Sequence, residues 1–233
     1  MYKNYRTEEI MTNLMVMGIN PLDVMVTGVT GAGKSTTLNS LFQKDIAKVG
    51  KGVDPETMTL DSYSLNDYFR FWDTPGLGDG IKKDKEHSKN IIELLYKDYS
   101  KDDQTYGFID TVLVIIEGSN RDMGTNYKLL NEVIVPNFQE SRILVAVNQA
   151  DMAMKGRHWN HKNNKPNKKL KDFLEAQVDS IQKRVKEATG VKIIKPIYYS
   201  AEYSYNINIL LDLLIDNMPR EKRELKIQML EEA

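Results

Sequence analysis

The chain has 233 residues, enough for one α/β domain with a substantial core. With 41% hydrophobic and 28% charged residues it has the make-up of an ordinary soluble protein, and a formal net charge of -1 excludes a global field that would draw it to nucleic acid or anionic membrane. Cysteine is absent, which excludes disulfides and thiolate chemistry and fits a reducing, cytoplasmic location.

Met1 to Met17 mixes charged and apolar residues and lacks the apolar core of a signal peptide. Ile10, Leu14 and Met17 recur there at helical spacing, so residues 1–20 are expected to form a helical flank. Leu22 to Thr27 reads as a buried strand and Lys34 to Phe42 as a helix. Thr59 to Leu65 and Tyr68 to Trp72 read as two strands joined by a turn at Asn66-Asp67. His87 to Tyr96 has a helical pattern. Thr111 to Ile116 and Arg142 to Val147 are near-continuous apolar runs, as expected of strands covered on both faces. The run Val112 to Ile116 is far too short to cross a bilayer. Tyr127 to Val135 and Leu170 to Ala188 read as helices, Ile193 to Tyr199 as a last strand, and Ile207 to Ile215 as a last core helix. Such alternation predicts an α/β fold, a doubly wound and mostly parallel sheet with one antiparallel edge strand, over residues 21–218. Leu225 and Met229 then sit at helical spacing in the charged stretch 219–233 after Pro219, predicting a C-terminal charged helix. Both flanks pack on the domain's own surface or serve a dimer or partner contact.

Five short segments carry chemistry. Gly28-Val29-Thr30-Gly31-Ala32-Gly33-Lys34-Ser35 lies between a predicted strand and a predicted helix, in the pattern G-x-x-x-x-G-K-[ST]. Glycines let the backbone curl so that successive N–H groups face phosphate oxygens, and the helix N-terminus adds its positive end. Gly28, Thr30, Gly31, Ala32, Gly33, Lys34, Ser35 and Thr36 are therefore expected to cradle a nucleotide's phosphates. Lys34 would bridge the β- and γ-phosphates, and Ser35 would ligate Mg²⁺.

Asp73-Thr74-Pro75-Gly76 follows the strand Tyr68 to Trp72. A carboxylate at a strand end, Asp73, can hold Mg²⁺ through water, and the Gly76 N–H can touch a γ-phosphate. Between these segments Thr57 or Thr59 can supply a hydroxyl to the metal, and Pro55-Glu56-Thr57 favours Thr57 by placing it in a loop. Asn148-Gln149-Ala150-Asp151 closes the strand Arg142 to Val147. The Asp151 carboxylate can accept two hydrogen bonds from guanine, a donor pair that adenine lacks, while Asn148 can meet N7 and tie neighbouring loops together, and Gln149 stands where a Lys often lies along the base, giving a weaker packing contact. Ser200-Ala201-Glu202 follows the last strand, where a backbone N–H can bind the guanine carbonyl and Ser200 can brace the loop.

Taken together these residues resemble the translation-factor-related (TRAFAC class) P-loop GTPases, and in particular the Era-like, 50S-ribosome-binding group with its small bacterial members. Gly28 to Ser35, Thr57, Asp73 to Gly76, Asn148 to Asp151 and Ser200-Ala201 match its motifs in order, across roughly Pro21 to Met218. Gly31 to Phe42 and Asp73 to Asp79 also look like septin and AIG1-type GTPases. The resemblance implies GTP and GDP binding, Mg²⁺ and a switch cycle, with Lys34, Thr57 and Gly76 at the reacting phosphate. It departs from the family pattern at two places. Leu77 stands where Ras-like proteins carry a water-orienting Gln, and Gly31 stands where potassium-activated relatives carry Asn. Leu77 implies slow intrinsic turnover, or alternatively a nucleotide-gated self-assembly module, with a nucleotide-dependent homodimer as one partner.

The segment 152–169 is rich in basic residues and has no acidic one. Lys155, Arg157, Lys162, Lys165, Lys168 and Lys169 surround Trp159, a pattern of either a solvated insertion or an RNA or ribosome contact. His158 and His161 are too few to hold a metal.

Overall fold

A computed structural model describes residues 2–18, 21–42, 61–119 and 123–223. Helix α1 (Thr7–Met17) is followed by β1 (Leu22–Gly28), α2 (Lys34–Phe42), β2 (Asp61–Ser64) and β3 (Phe69–Asp73). Then come α3 (Ile81–Tyr96), a hairpin of β4 (Asp98–Lys101) and β5 (Gln104–Gly107), β6 (Thr111–Glu117) and α4 (Gly124–Lys128). The second half holds β7 (Ile143–Asn148), a two-residue-strand hairpin of β8 (Trp159–Asn160) and β9 (Lys165–Pro166), α5 (Lys168–Thr189), β10 (Ile197–Tyr198) and α6 (Ile207–Asp216).

The central sheet has six strands in the order β10-β7-β6-β1-β3-β2. All pairings are parallel except that of the edge strand β2 with β3, as the sequence predicts. Every residue of β1 and β7 is buried, because helices cover both faces of the sheet. Alternate residues feed two cores. Val24 and Val26 pack with Leu14, Leu38 and Leu210 from α1, α2 and α6. Met25 packs on the other face with Ile91, Leu129 and Val178. The turn before β3 is set by Asn66, whose Oδ1 accepts from the N–H groups of Tyr68 (2.9 Å) and Phe69 (3.0 Å).

The expected elements shift where polar or proline chemistry intervenes. Helix α3 begins at Ile81, ahead of the expected His87, because residues 81–90 are mostly charged and show no apolar period. The last strand shrinks from Ile193–Tyr199 to Ile197–Tyr198, since Pro196 has no N–H to give a ladder. The helix expected over Tyr127 to Val135 starts as α4 and continues as a π-helix over Leu129–Ile134. The hairpin β4–β5 was not expected, because its strands are polar; its turn residues Asp102 and Asp103 both have positive φ, 54° and 60°.

At the N-terminus, Ile10, Leu14 and Met17 are all buried in the first core, and Arg6 pairs with Asp212 (2.8 Å) and Asp216 (2.6 Å) of α6. Residues 219–223 are not helical. Arg223 is buried there, donating to the carbonyls of Ile109 (2.9 Å) and Leu95 (2.7 Å). The helical spacing of Leu225 and Met229 lies outside the described residues.

Candidate nucleotide-binding site

The loop from Gly28 to Lys34 joins the end of β1 to the start of α2, so the first N–H groups of that helix open toward it. Gly33 sits at φ 83°, and a Cβ there would collide with the Asn148 amide, which only glycine avoids. Ser35 and Thr36 are exposed in the first turn of α2. Thr37, one residue on, is buried and locks the turn to β10's exit: its hydroxyl donates to Gly33 O (2.8 Å) and lies 2.7 Å from the Tyr199 hydroxyl. Lys34 curls back, its Nζ donating to the carbonyls of Gly28 (3.2 Å) and Val29 (3.3 Å). Burial pushes its pKa down, while Asp73 and Asp79 push it back up. A partly desolvated ammonium whose backbone partners are neutral carbonyls has the chemistry to take an anion in their place.

Asp73 ends β3 beside that loop. Thr74 anchors the following turn, with its N–H and its hydroxyl both 3.1 Å from Val26 O. A Cβ on Gly76 would lie 2.6 Å from Thr30 N and 2.8 Å from Lys34 Nζ, so glycine is what permits the two loops to touch. Leu77 is fully buried in the second core, and its carbonyl accepts from the Thr30 N–H at 2.7 Å. Asp84 in α3 accepts from the N–H groups of Gly78 (2.8 Å) and Asp79 (3.2 Å). His87, which carries no signal in the sequence beyond its helix, places Nδ1 2.7 Å from the Gly76 carbonyl. A carbonyl only accepts, so that nitrogen bears the proton.

The third cluster closes the site. Asn148 Nδ2 donates to Ala32 O (3.0 Å), and its Oδ1 accepts from the Ala201 N–H (3.0 Å), so one side chain ties the phosphate loop to the loop after β10. Gln149 adopts φ 58° and donates to Gly31 O at 2.8 Å. Asp151 is buried, and its Oδ1 accepts from the Ser200 hydroxyl at 2.6 Å. Glu202 is exposed at the rim. Thr57 and Thr59 lie outside the described residues, so the expected metal threonine has no position here. Every other expected site residue gathers along one end of the parallel sheet, the end where open α/β sheets hold ligands.

The basic segment behaves differently from the expectation of a stacking surface. Trp159 is only 6% exposed and packs against Tyr203 and Tyr205 at 5.5 and 5.4 Å between ring centres, so it cannot stack on a base. His158 and His161 have separate partners, Asn167 and Tyr203. Among the described residues no group of three or more His, Cys, Asp or Glu could hold a metal ion, and no helix is long and apolar enough to cross a membrane.

A parallel sheet whose first strand runs through a glycine-rich loop into a helix, with Asp73 and Asn148 at the ends of neighbouring strands, defines a P-loop G domain. The chain belongs to the 50S ribosome-binding GTPase family, whose model matches residues 23–182. It is 31% identical over 140 residues to the tRNA modification GTPase MnmE of Bacteroides thetaiotaomicron, covering 57% of this chain and 26% of that protein. It is 25% identical over 131 residues to a probable GTP-binding protein EngB of Thermotoga petrophila, covering 56% of this chain and 64% of that one. The chain thus spans about a quarter of MnmE and under two thirds of EngB. Its fold is shared with Toc33 of Arabidopsis thaliana in complex with GDP and Mg²⁺, at a TM-score of 0.62 and 17% identity over 96% of each chain. It is also shared with Era in complex with MgGDPNP and a 16S ribosomal RNA fragment, at a TM-score of 0.56 and 18% identity over 90% of this chain and 60% of that one.

Proposed function

We propose that this domain binds GTP and hydrolyses it slowly to GDP and phosphate, acting as a molecular switch. The observation that carries the proposal is the junction at Asn148, which sets an Asp151–Ser200 pair against the phosphate loop. Asp151 then reads guanine N1–H and the exocyclic amine, the Ala201 region meets the guanine carbonyl, and Gln149 lies along the base. The N–H groups of residues 30–36 and Lys34 hold the phosphates. Gly76, packed against Thr30 and Lys34, offers its N–H to the γ-phosphate. Ser35 and Asp73 bring a hydroxyl and a carboxylate to the same end of the sheet, hard oxygen donors that suit Mg²⁺, with Thr57 expected to join them. Bound there, the metal supplies neutralisation of phosphate charge.

Water attacks the γ-phosphorus, the bond to the β-phosphate oxygen breaks, and GDP leaves with that electron pair. This chain's residues contribute position and charge. Leu77 contributes no polar group, and its burial removes it from the water's path. The same burial favours a second reading, a nucleotide-gated self-assembly module with negligible turnover. An RNA contact in residues 155–169 would rest on exposed cations such as Lys162, Lys165 and Lys168 without Trp159.

Asp151→Asn tests the base assignment. Xanthine replaces guanine's amine by a carbonyl, which an Asn amide can meet. Losing a charge-assisted contact costs roughly 1.5–3 kcal/mol, so competition binding should show GTP weakened about 10- to 100-fold and xanthosine triphosphate gaining. An unchanged preference for GTP removes Asp151 from the base site.

A further inference from the structure

Beside the nucleotide site, but outside it, a groove of about 930 Å³ runs between the start of α4, the segment after Asp151 and one face of α5. Its α5 wall is the stripe Lys169, Phe173, Ala176, Ser180 and Arg184, which spans roughly 22 Å at the rise of an α-helix. Ala176 and Ser180 are small, which leaves the depression open at its middle.

The charge of this groove is one-sided. Lys155, Arg157, His158, Lys169 and Arg184 line it, and no Asp or Glu does among the described residues. The whole chain carries 32 basic and 33 acidic residues, so the imbalance is local. Its lining also holds three methionines, Met123, Met152 and Met154. Met152 is 53% exposed and Phe173 41%, large apolar side chains left in water within one concave surface.

We propose that this groove is a docking site for an acidic amphipathic helix of a partner protein, about four turns long. The apolar face of such a helix covers Met152 and Phe173, and its carboxylates meet the cations at the rim. Flexible thioethers adapt to aliphatic side chains, and a helix lying in a groove is a common way to bury such a face. RNA fits this groove less well. Trp159 is buried away from it, and Lys162, Lys165 and Lys168 are not among its lining residues. The groove also shares backbone with the base-reading loop: Met152 N donates to Gln149 O at 2.9 Å, and Gly118 N donates to Asn148 O at 2.7 Å.

The test uses the full chain loaded with GDP and measures fluorescence anisotropy with three probes. These are a helical peptide of about sixteen residues with a Leu face and a Glu face, its scrambled isomer, and a short oligouridylate. The helical peptide should bind at least about tenfold more tightly than either control, a difference that one buried apolar side chain can supply. Phe173→Asp and Lys169→Glu change exposed residues and should each weaken that binding about tenfold while GDP affinity holds. Equal binding of the scrambled peptide, tighter binding of the oligonucleotide, or no binding at micromolar protein would overturn the proposal. So would a homodimer in sedimentation that Phe173→Asp abolishes, since the groove would then belong to a second copy.

Discussion

Lys34 brings an ammonium group into a part-buried loop, where it donates to two backbone carbonyls at 3.2 and 3.3 Å. In the proposed function an arriving phosphate replaces those neutral partners by charged ones. Lys34→Ala should therefore weaken GDP about 10- to 100-fold or more, from roughly 1.5–3 kcal/mol per lost charge-assisted contact. Calorimetric titration with GDP checks this, and parental affinity in the variant contradicts the phosphate-loop assignment. His87 acts one step further back. Its hydrogen bond fixes the Gly76 carbonyl, so His87→Ala should lower kcat with little change in GDP affinity, and His87→Asn, which keeps a donor near Nδ1, should recover part of it. The placing of Lys34 and Asp151 at the same end of the sheet was legible because their motifs have fixed local spacing. His87 was not, because it meets Gly76 across 11 residues and only through the fold. Asp110 was equally silent in the sequence. Burial lifts its pKa from 3.8 to about 7, against the pull of the Asp23 N–H, Arg142 and Arg223. Between those values the folded state holds a proton that the unfolded chain has released, so stability falls as pH rises through that window and stays lower above it. Asp110→Asn can still accept from the Asp23 N–H and has no charge to bury. The Tm difference between variant and parent should move in the variant's favour from pH 4 to pH 8, and a move the other way would contradict the buried carboxyl account.

At the scale of elements, strands covered on both faces were readable as apolar runs, and α2 begins and ends at the residues its sequence predicts. Helix starts were less readable. Helix α5 begins at Lys168 because Asn167 caps it, accepting from the Leu170 N–H at 3.0 Å, while apolar spacing alone points to Leu170. The β4–β5 hairpin has no apolar alternation to announce it. Helix α1 was legible as a helix, yet its depth was not: Leu14 is buried among β1, α2 and α6 side chains. Leu14→Ala should cost roughly 2–5 kcal/mol, the range for large-to-small changes in a core. Urea unfolding measures it, and a cost near zero would show α1 to be a detachable flank instead of a wall of the core.

For the whole molecule, the parallel sheet explains why residues 116 positions apart meet. Asn148 and Ala32 come from the ends of different strands, and the strand order sets them side by side. The sequence showed the motifs in order and offered Asn148 as a tie between neighbouring loops; what it did not show is that the two loops are the one at Ala32 and the one at Ala201. The groove beside α5 was not legible either, since its basic residues come from two separate segments and Met123 from a third. Gly31, where a potassium-activated relative carries Asn, predicts little difference between potassium and sodium. The central claim is that this G domain hydrolyses GTP slowly when alone because Leu77 is buried and apolar. Phosphate release per protein, followed across a dilution series with GTP and Mg²⁺ in each salt, tests it directly. Turnover on the order of 10⁻⁴ s⁻¹ at high dilution, rising with protein concentration, is the predicted result. Turnover near 1 s⁻¹ at nanomolar protein would contradict it, because a group within the chain would then be orienting the water.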